Sequence, residues 1–179
     1  MLAKPFFIVL LALTPVLGVT TSFINSLFMG FSVFLVLLIS SLIIHIFAKD
    51  LSENIRLFVF IIVIATSVTI VEMLIRAFAF DIANELGIFI PLLITSMFIF
   101  TSAEKSSESL SIKETLDNGI AFIIGISTIG LFREFFASGY LIGQLIFQSE
   151  LGFLTQPFGA FISVAVVISI AQAFRKEVK

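Results

Sequence analysis

The chain has 179 residues, of which 59% are hydrophobic and 12% are charged, and its net charge at neutral pH is −2. A soluble domain of this length has too little interior to bury so much apolar surface, so the composition excludes a soluble globular protein. The absence of cysteine excludes disulfides, thiolate nucleophiles and cysteine-ligated metals within the chain. We therefore predict a single integral membrane domain, residues 1–179, with the lipid bilayer as its surroundings and no nucleic acid as a partner.

Six apolar segments predict an all-α integral membrane protein with six transmembrane helices. The uncharged residues Thr20, Thr21 and Ser22 form the expected turn between the first two segments. The polar stretch 104–118 is predicted to be a solvated loop between the two halves, and residues 138–150 are expected to lie partly in the membrane interface. The segments cover about 5–20, 23–48, 57–80, 87–103, 119–137 and 151–174.

The first and fourth segments are unusually short. The uncharged run 87–100 has 14 residues and would span about 21 Å as a helix, against a hydrocarbon core of about 30 Å. Pro91 interrupts it, and Pro15 and Gly18 interrupt the first segment in the same way. Two interrupted helices in matching positions indicate two inverted three-helix repeats whose broken helices meet near the bilayer midplane. We place repeat 1 at about 1–83 and repeat 2 at about 84–179.

The distribution of lysine and arginine predicts the orientation. If the N-terminus is cytoplasmic, eight of the ten basic residues fall on the cytoplasmic side, and only Arg76 and Arg133 lie near the opposite face. Since cytoplasmic segments are enriched in basic residues, we predict that both termini are cytoplasmic, N-in and C-in. The eight residues are Lys4, Lys49, Arg56, Lys105, Lys113, Arg175, Lys176 and Lys179. Lys4 and the apolar run after it also fit a signal peptide, but no clear A-x-A cleavage site follows.

Glu72 and Arg76 are the candidate ion-path residues. They are four residues apart in the third segment, so they share a helix face and can form an ion pair. One interpretation is a step on an ion path near the outer face. The other is an ion pair at the helix end, with Arg76 reaching the lipid headgroups.

Other polar residues in the segments have mainly structural interpretations. Arg133 and Glu134 are adjacent, so they point in different directions on a helix and each needs its own partner. His45 is the only histidine, and its expected role is structural, near the membrane interface. Asn25, Gln144 and Gln156 either line a cavity or bond to a neighbouring helix. No catalytic motif and no metal-ligand pattern is present, so no catalytic and no metal-binding residues are predicted.

Three runs of sequence resemble a known family. They are KPFFIVLLALTPVLGVTTS, ENIRLFVFIIVIATSVTIVEMLIRAFAFDIANELGIFIPLL and DNGIAFIIGISTIGLFREFFASG. They are similar to the small six-helix subunits of the Rnf electron-transport complex and of the sodium-pumping NADH:quinone oxidoreductase, most closely the E subunit of the former and the D subunit of the latter. The likeness covers nearly the whole chain.

The resemblance implies a non-catalytic subunit of a translocase complex that couples electron transfer to Na⁺ or H⁺ translocation. The implied partners are a sister six-helix subunit of opposite topology, flavin-carrying membrane subunits, and a subunit that binds ferredoxin or NADH. The implied location is the inner (cytoplasmic) membrane of a bacterium or archaeon, as a multi-pass protein.

The family also implies a [2Fe-2S] cluster shared by the two sister subunits, each giving one cysteine from its first and one from its fourth helix. Thr14 and Met97 occupy those positions here. A hydroxyl and a thioether are far poorer iron ligands than thiolates. We therefore predict that this chain alone binds no cofactor and that the shared cluster has been lost.

Three hypotheses follow for the function. The first is a subunit of an Rnf-like or Nqr-like complex that shapes the ion path or completes the fold of the sister subunit. The second is a diverged complex that uses the same scaffold for a structural role or for transport of a small solute or ion. The third is an unrelated six-span transporter with an accidental likeness.

Overall fold

The computed structural model describes residues 16–47, 52–108, 112–141, 144–145 and 152–177. In these ranges the regular structure is helical apart from one two-residue antiparallel ladder, so the prediction of an all-α protein is confirmed. The helices are α1 (Phe23–Phe47), α2 (Glu53–Phe78), α3 (Phe80–Leu86), α4 (Met97–Glu108), α5 (Ile112–Arg133) and α6 (Pro157–Glu177). The strands are β1 (Tyr140–Leu141) and β2 (Gln144–Leu145), with short 3-10 helices at Gly87–Phe89, Pro91–Thr95 and Gly152–Thr155 and a π-helical turn at Glu134–Ser138.

Three continuous helical stretches are long and apolar enough to cross a bilayer: Phe23–Phe47, Ile55–Phe78 and Ile112–Ala137. At about 1.5 Å per residue each is about 36 Å or longer, which exceeds a hydrocarbon core of about 30 Å. The helices α2 and α5 begin at Glu53 and Ile112, before the predicted apolar segments 57–80 and 119–137. The last helix, α6, contains a shorter apolar stretch at Phe158–Ser169.

The prediction of a solvated loop over 104–118 is wrong. Residues up to Glu108 continue α4, and α5 already begins at Ile112. Lys105 on α4 and Glu114 on α5 form an ion pair at 3.2 Å, with both side chains more than half exposed. Lys105 and Glu114 are exposed near the ends of the two helices, whereas Ser106, Ser107 and Thr115 in the same stretch are buried.

The fourth apolar segment is broken, as predicted. Two helical parts, Phe80–Thr95 and Phe98–Ser107, which together extend beyond the predicted 87–103 at both ends, are bent by 45° relative to each other. Three backbone features account for the irregularity: Gly87 has φ +46°, Pro91 begins a 3-10 helix, and Ser96 is extended with ψ 114°. Glycine tolerates positive φ and proline lacks the N–H that a continuous helix needs. Most of the first segment lies outside the described residues; Val16 and Leu17 are helical and a turn follows at 18–20.

The centre of the fold is the antiparallel pair α1 and α5, which pack through small residues. A Cβ at Gly30 would lie 3.1 Å from the Cα of Ile123, and a Cβ at Gly119 would lie 2.9 Å from Cε2 of Phe34. In the membrane, helices associate through such close packing because lipid removes the usual hydrophobic driving force. The α1–α5 contact places the end of α5 beside the start of α1, where the buried charges lie.

Candidate functional site

Arg133, at the end of α5, is fully buried. Within the described part of the chain, its N–H groups donate to carbonyl and hydroxyl oxygens of four residues. Nη1 donates to the carbonyl of Leu17 at 2.9 Å and to the hydroxyl of Thr20 at 2.8 Å. Nε and Nη2 donate to the carbonyl of Leu154 at 3.1 and 3.0 Å, and Nη2 also donates to the carbonyl of Gln156 at 3.3 Å. One side chain thus joins the end of the first segment to the start of α6.

Glu134, the next residue, bonds in a different direction. Its Oε2 accepts a hydrogen bond from the backbone N–H of Phe23 at 2.6 Å, and the residue is only 7% exposed. Phe23 is the first residue of α1, where backbone N–H groups have no partner within the helix and the helix dipole favours a negative charge. The prediction that Arg133 and Glu134 need separate partners is confirmed.

Together the two charges bracket the turn between the first segment and α1. Arg133 binds the carbonyl of Leu17 on one side of the turn, and Glu134 binds the N–H of Phe23 on the other side. Each charge has the sign that the local backbone dipole favours: a cation beside carbonyl oxygens that end a helix, and an anion beside N–H groups that begin one. We call Arg133, Glu134 and the backbone they hold the turn clasp.

A second polar contact lies beside the clasp. The side-chain amide of Asn25, which is 8% exposed, donates to the carboxylate of Glu85 on α3 at 2.8 Å. The backbone N–H of Asn25 donates to the hydroxyl of Ser22 at 3.2 Å. Of the two interpretations of Asn25, the structure shows the bond to a neighbouring helix, which ties the start of α1 to the first part of the broken fourth segment.

The end of the first segment touches the broken fourth segment next to the clasp. A Cβ at Gly18 would lie 2.8 Å from Cζ of Phe89, so the absence of a side chain at position 18 lets the aromatic ring approach this closely. Gly18 follows Leu17 directly, and Phe89 ends the 3-10 helix Gly87–Phe89. The end of the first segment is therefore held by α5 on one side and packed against the fourth segment on the other.

The candidate ion-path residues form the expected pair. Arg76 donates to Oε1 of Glu72 from Nη2 at 2.8 Å and from Nε at 3.1 Å. The side chains are 21% exposed at Glu72 and 51% exposed at Arg76, so the pair lies on the outer surface of α2 within this chain. The structure therefore keeps Glu72 and Arg76 apart from the buried turn clasp.

The positions expected to carry cluster ligands are only partly described. Thr14 lies outside the described residues, whereas Met97 begins α4 directly after the break at Ser96, and its backbone alone is described. Among the described residues no group of three histidine, cysteine, aspartate or glutamate side chains is placed to hold a metal ion.

Other polar residues have local roles. Nδ1 of His45 lies 3.2 Å from the carbonyl of Ser106, which joins the ends of α1 and α4. Gln156 contributes its backbone carbonyl to Arg133, and Gln144 lies in β2. Sequence reasoning identified Arg133 and Glu134 as residues that need partners, but it did not connect them with the first turn. The only sequence signal was an uncharged, hydroxyl-rich turn without charged residues of its own.

The family of the chain follows from comparison with known sequences. The sequence profile of the Rnf-Nqr subunit family of membrane proteins matches residues 1–168. The chain is 34% identical to the E subunit of the Na⁺-translocating ferredoxin:NAD⁺ oxidoreductase complex of Acetobacterium woodii, over 93% of this chain and 89% of that protein.

Two further relatives come from distant organisms. The chain is 34% identical to the E subunit of the ion-translocating oxidoreductase complex of Methanosarcina acetivorans, over 97% of this chain and 87% of the relative. It is 30% identical to the protein of the same name from Cellvibrio japonicus, over 98% and 83% respectively. Matches of this extent exclude an accidental likeness to an unrelated transporter. This multi-pass membrane chain belongs to the Rnf-Nqr subunit family.

Proposed function

We propose that the chain is the E-type membrane subunit of a multi-subunit complex that couples electron transfer to the translocation of Na⁺ or H⁺. The observation that carries the proposal is the family match over residues 1–168, together with E-type relatives aligned over more than nine tenths of the chain. The chain itself is a non-catalytic part of the translocase. Its partners in this proposal are a sister six-helix subunit of opposite topology, flavin-carrying membrane subunits and a ferredoxin- or NADH-binding subunit.

The proposed architecture is two inverted three-helix repeats, about 1–83 and 84–179, in the inner membrane with both termini cytoplasmic. Two contacts support it. The second helices of the two proposed repeats, α1 and α5, pack together antiparallel at the centre, an arrangement compatible with a two-fold relation between the repeats. The ends of the two broken segments meet at Gly18 and Phe89.

The residues at the expected cluster positions do not fit an iron–sulfur cluster. Thr14 and Met97 offer a hydroxyl and a thioether, and no cysteine elsewhere in the chain can replace them. Iron in such clusters is held by thiolates, and in some clusters by histidine. The only histidine, His45, lies in the last turn of α1, away from the clasp, with Nδ1 3.2 Å from the carbonyl of Ser106. No electron-transfer step is assigned to this chain.

Within the proposed complex, Glu72 and Arg76 are assigned to the ion path. Their ion pair is formed and lies on the surface of α2, where a partner subunit has access to it. Charged residues in a membrane span are costly and commonly mark ion pathways. The alternative role is an ion pair that only anchors the end of α2 near the headgroups. The substitution Glu72→Gln, described in the Discussion, distinguishes the two roles.

The loss of both thiols favours a second candidate function. A diverged complex that uses this scaffold for structure, or for transport of a small solute or ion, would have no need of the cluster. In that case the chain would keep the fold of an E-type subunit through the packing of α1 against α5 and through the turn clasp, without a bound cluster.

The proposal is tested by purifying the tagged chain from its native membranes and identifying the proteins that accompany it. We expect flavin-bearing membrane subunits and a ferredoxin- or NADH-binding subunit in fixed ratio. Membrane vesicles should accumulate Na⁺ or H⁺ when ferredoxin or NADH is oxidised, and deletion of the chain should abolish that uptake. Recovery of the chain without redox subunits, with uptake unchanged by deletion, would contradict the proposal.

A further inference from the structure

The buried charge at position 133 needs an explanation beyond membrane insertion. Arg133 is 0% exposed in a stretch, Ile112–Ala137, that is apolar enough to span a bilayer. An arginine that only anchored the helix end would reach toward the headgroups and water. Here the guanidinium instead faces inward, and its described bonds all go to the chain itself.

The geometry of those bonds is specific to arginine. The five N–H groups are distributed over a planar fork, and each is used: two toward Leu17 and Thr20, and three toward Leu154 and Gln156. A lysine has three donors on a single nitrogen and no fork, so it cannot reach both segments with the same set of bonds. The guanidinium therefore binds both the end of the first segment and the residues before α6, and it fixes the distance between them.

The oxygens that Arg133 binds lie in or next to short helical turns and helix ends. Leu17 is the last helical residue before the turn at 18–20, and its carbonyl also accepts a bond from the hydroxyl of Thr20 at 2.9 Å. Leu154 lies in the 3-10 helix Gly152–Thr155, and Gln156 immediately precedes α6. The carbonyl of Gln156 also accepts a bond from the backbone N–H of Gly159 at 3.0 Å. The carbonyl of Leu17 instead lies where a helix ends, and partial negative charge there is stabilised by a buried cation.

The segment end that Arg133 binds is also the one that meets the fourth segment. Gly18 packs against the ring of Phe89 with no space for a Cβ, and it is bonded covalently to the residue whose carbonyl Arg133 holds. A shift of Leu17 away from α5 would therefore move Gly18 relative to Phe89. The side chain of Arg133 therefore couples the position of α5 to the contact between Gly18 and Phe89.

We propose that Arg133 is a positioning residue that holds the end of the first segment against the broken fourth segment, and so sets the geometry of the point where these two segments meet. The inference rests on the proposed function only in taking this meeting point as the place where the protein acts. The positioning itself needs neither electron transfer nor ion transport, and it is measurable without them.

The natural absence of cysteine allows a direct test within the assembled complex in native membranes. Cysteines replace Gly18 and Phe89 together, which removes the ring that would clash with a side chain at position 18. A short thiol-reactive crosslinker then reports the distance between the two segments, read as an intramolecular product of the tagged chain. We expect a high yield with Arg133 present, a severalfold lower yield with R133Q, and an intermediate yield with R133K.

Two controls separate positioning from general unfolding. Cysteines at Phe34 and Gly119 report a similar contact between a ring and a glycine across α1 and α5, away from the clasp. Their crosslinking should be unchanged by R133Q. The exposed arginine of the ion pair supplies the charge control, since R76Q should leave the yield at positions 18 and 89 as it is.

Either of two results would overturn the inference: an unchanged yield at positions 18 and 89 in R133Q, or an equal fall at both cysteine pairs. If R133Q does not accumulate in the membrane, T20V serves instead, because it removes one acceptor of Arg133 and keeps the charge. T20V should lower the yield at 18 and 89 and T20S should restore it, and equal yields in T20V and T20S would count against the role. Normal crosslinking in a complex that transports no ion would refute the proposed function and leave the positioning intact.

Discussion

The carboxylate of Glu134 lies 2.6 Å from the backbone nitrogen of Phe23, although the two residues are 111 positions apart in the sequence. The helix that Phe23 begins has no acidic residue in its own first turn. Glu134 therefore supplies from another helix the negative charge that favours a helix N-terminus. With Arg133 bound to Leu17, the end of α5 determines where the first turn of the chain lies.

Replacing Glu134 should destabilise the chain, and the loss should be larger when the hydrogen-bond acceptor is removed than when only the charge is removed. E134A leaves the N–H of Phe23 without its acceptor and should destabilise the chain by about 1.5–3 kcal/mol. E134Q keeps an oxygen acceptor and loses only the charge, so about 0.3–1 kcal/mol is expected. The measurement is the thermal midpoint of the purified complex in detergent. Alanine at the exposed Glu104 is the matched control, and equal midpoints for E134A and E104A would contradict the bond's importance.

The close packing of α1 and α5 predicts that Gly130 cannot be replaced without loss. A Cβ at this position would lie 2.5 Å from Cβ of Ser26 and 3.0 Å from the carbonyl of Ser22. Gly130→Ala should therefore destabilise the chain by about 1–3 kcal/mol, because overpacking forces the helices apart.

The same helix provides the control for Gly130. Gly125 has no atom within 4 Å of a Cβ built on it, so Gly125→Ala should be neutral or stabilising by up to about 1 kcal/mol through helix propensity. The amounts of each variant in the membrane and their thermal midpoints check both predictions. A Gly130→Ala chain as stable as Gly125→Ala would mean that α1 and α5 are not packed as described.

Glu72→Gln tests the ion path. We expect ion uptake per electron transferred to fall severalfold while the complex still assembles, because the carboxylate is lost and the side chain keeps its size. Uptake is measured in vesicles with oxidation of the electron donor followed in parallel, and E104Q is the control on an exposed glutamate outside the pair. Unchanged uptake would assign Glu72 and Arg76 to anchoring the end of α2.

The donor set at positions 14 and 97 predicts the metal content of the complex. The purified complex should contain no iron beyond that bound by its other subunits, and the reduced complex should give no additional two-iron signal. A chain carrying both Thr14→Cys and Met97→Cys restores the thiolate donors and is expected to bind more iron. Two additional iron atoms in the complex with the unaltered chain would refute the loss of the cluster.

The class of protein and much of its organisation could be predicted from local features. A long apolar run predicts a segment in lipid, and Pro91 within a short run predicts a broken helix, wherever that helix lies in space. The i, i+4 spacing of Glu72 and Arg76 likewise predicted their ion pair, because a helix alone brings such residues together.

The partners of the buried charges depended on the tertiary structure. Arg133 and Leu17 are 116 positions apart, and no spacing rule connects an arginine with a carbonyl on a separate helix. The sequence required only that each buried charge have a partner, since burying an unpaired charge is too costly. The packing of α5 against α1 decided which partners they are, because it placed the end of one helix beside the first turn of the chain. The polar stretch after Glu104 is also mostly helical, because one helix continues to Glu108 and the next begins at Ile112, bounds that apolar composition does not record.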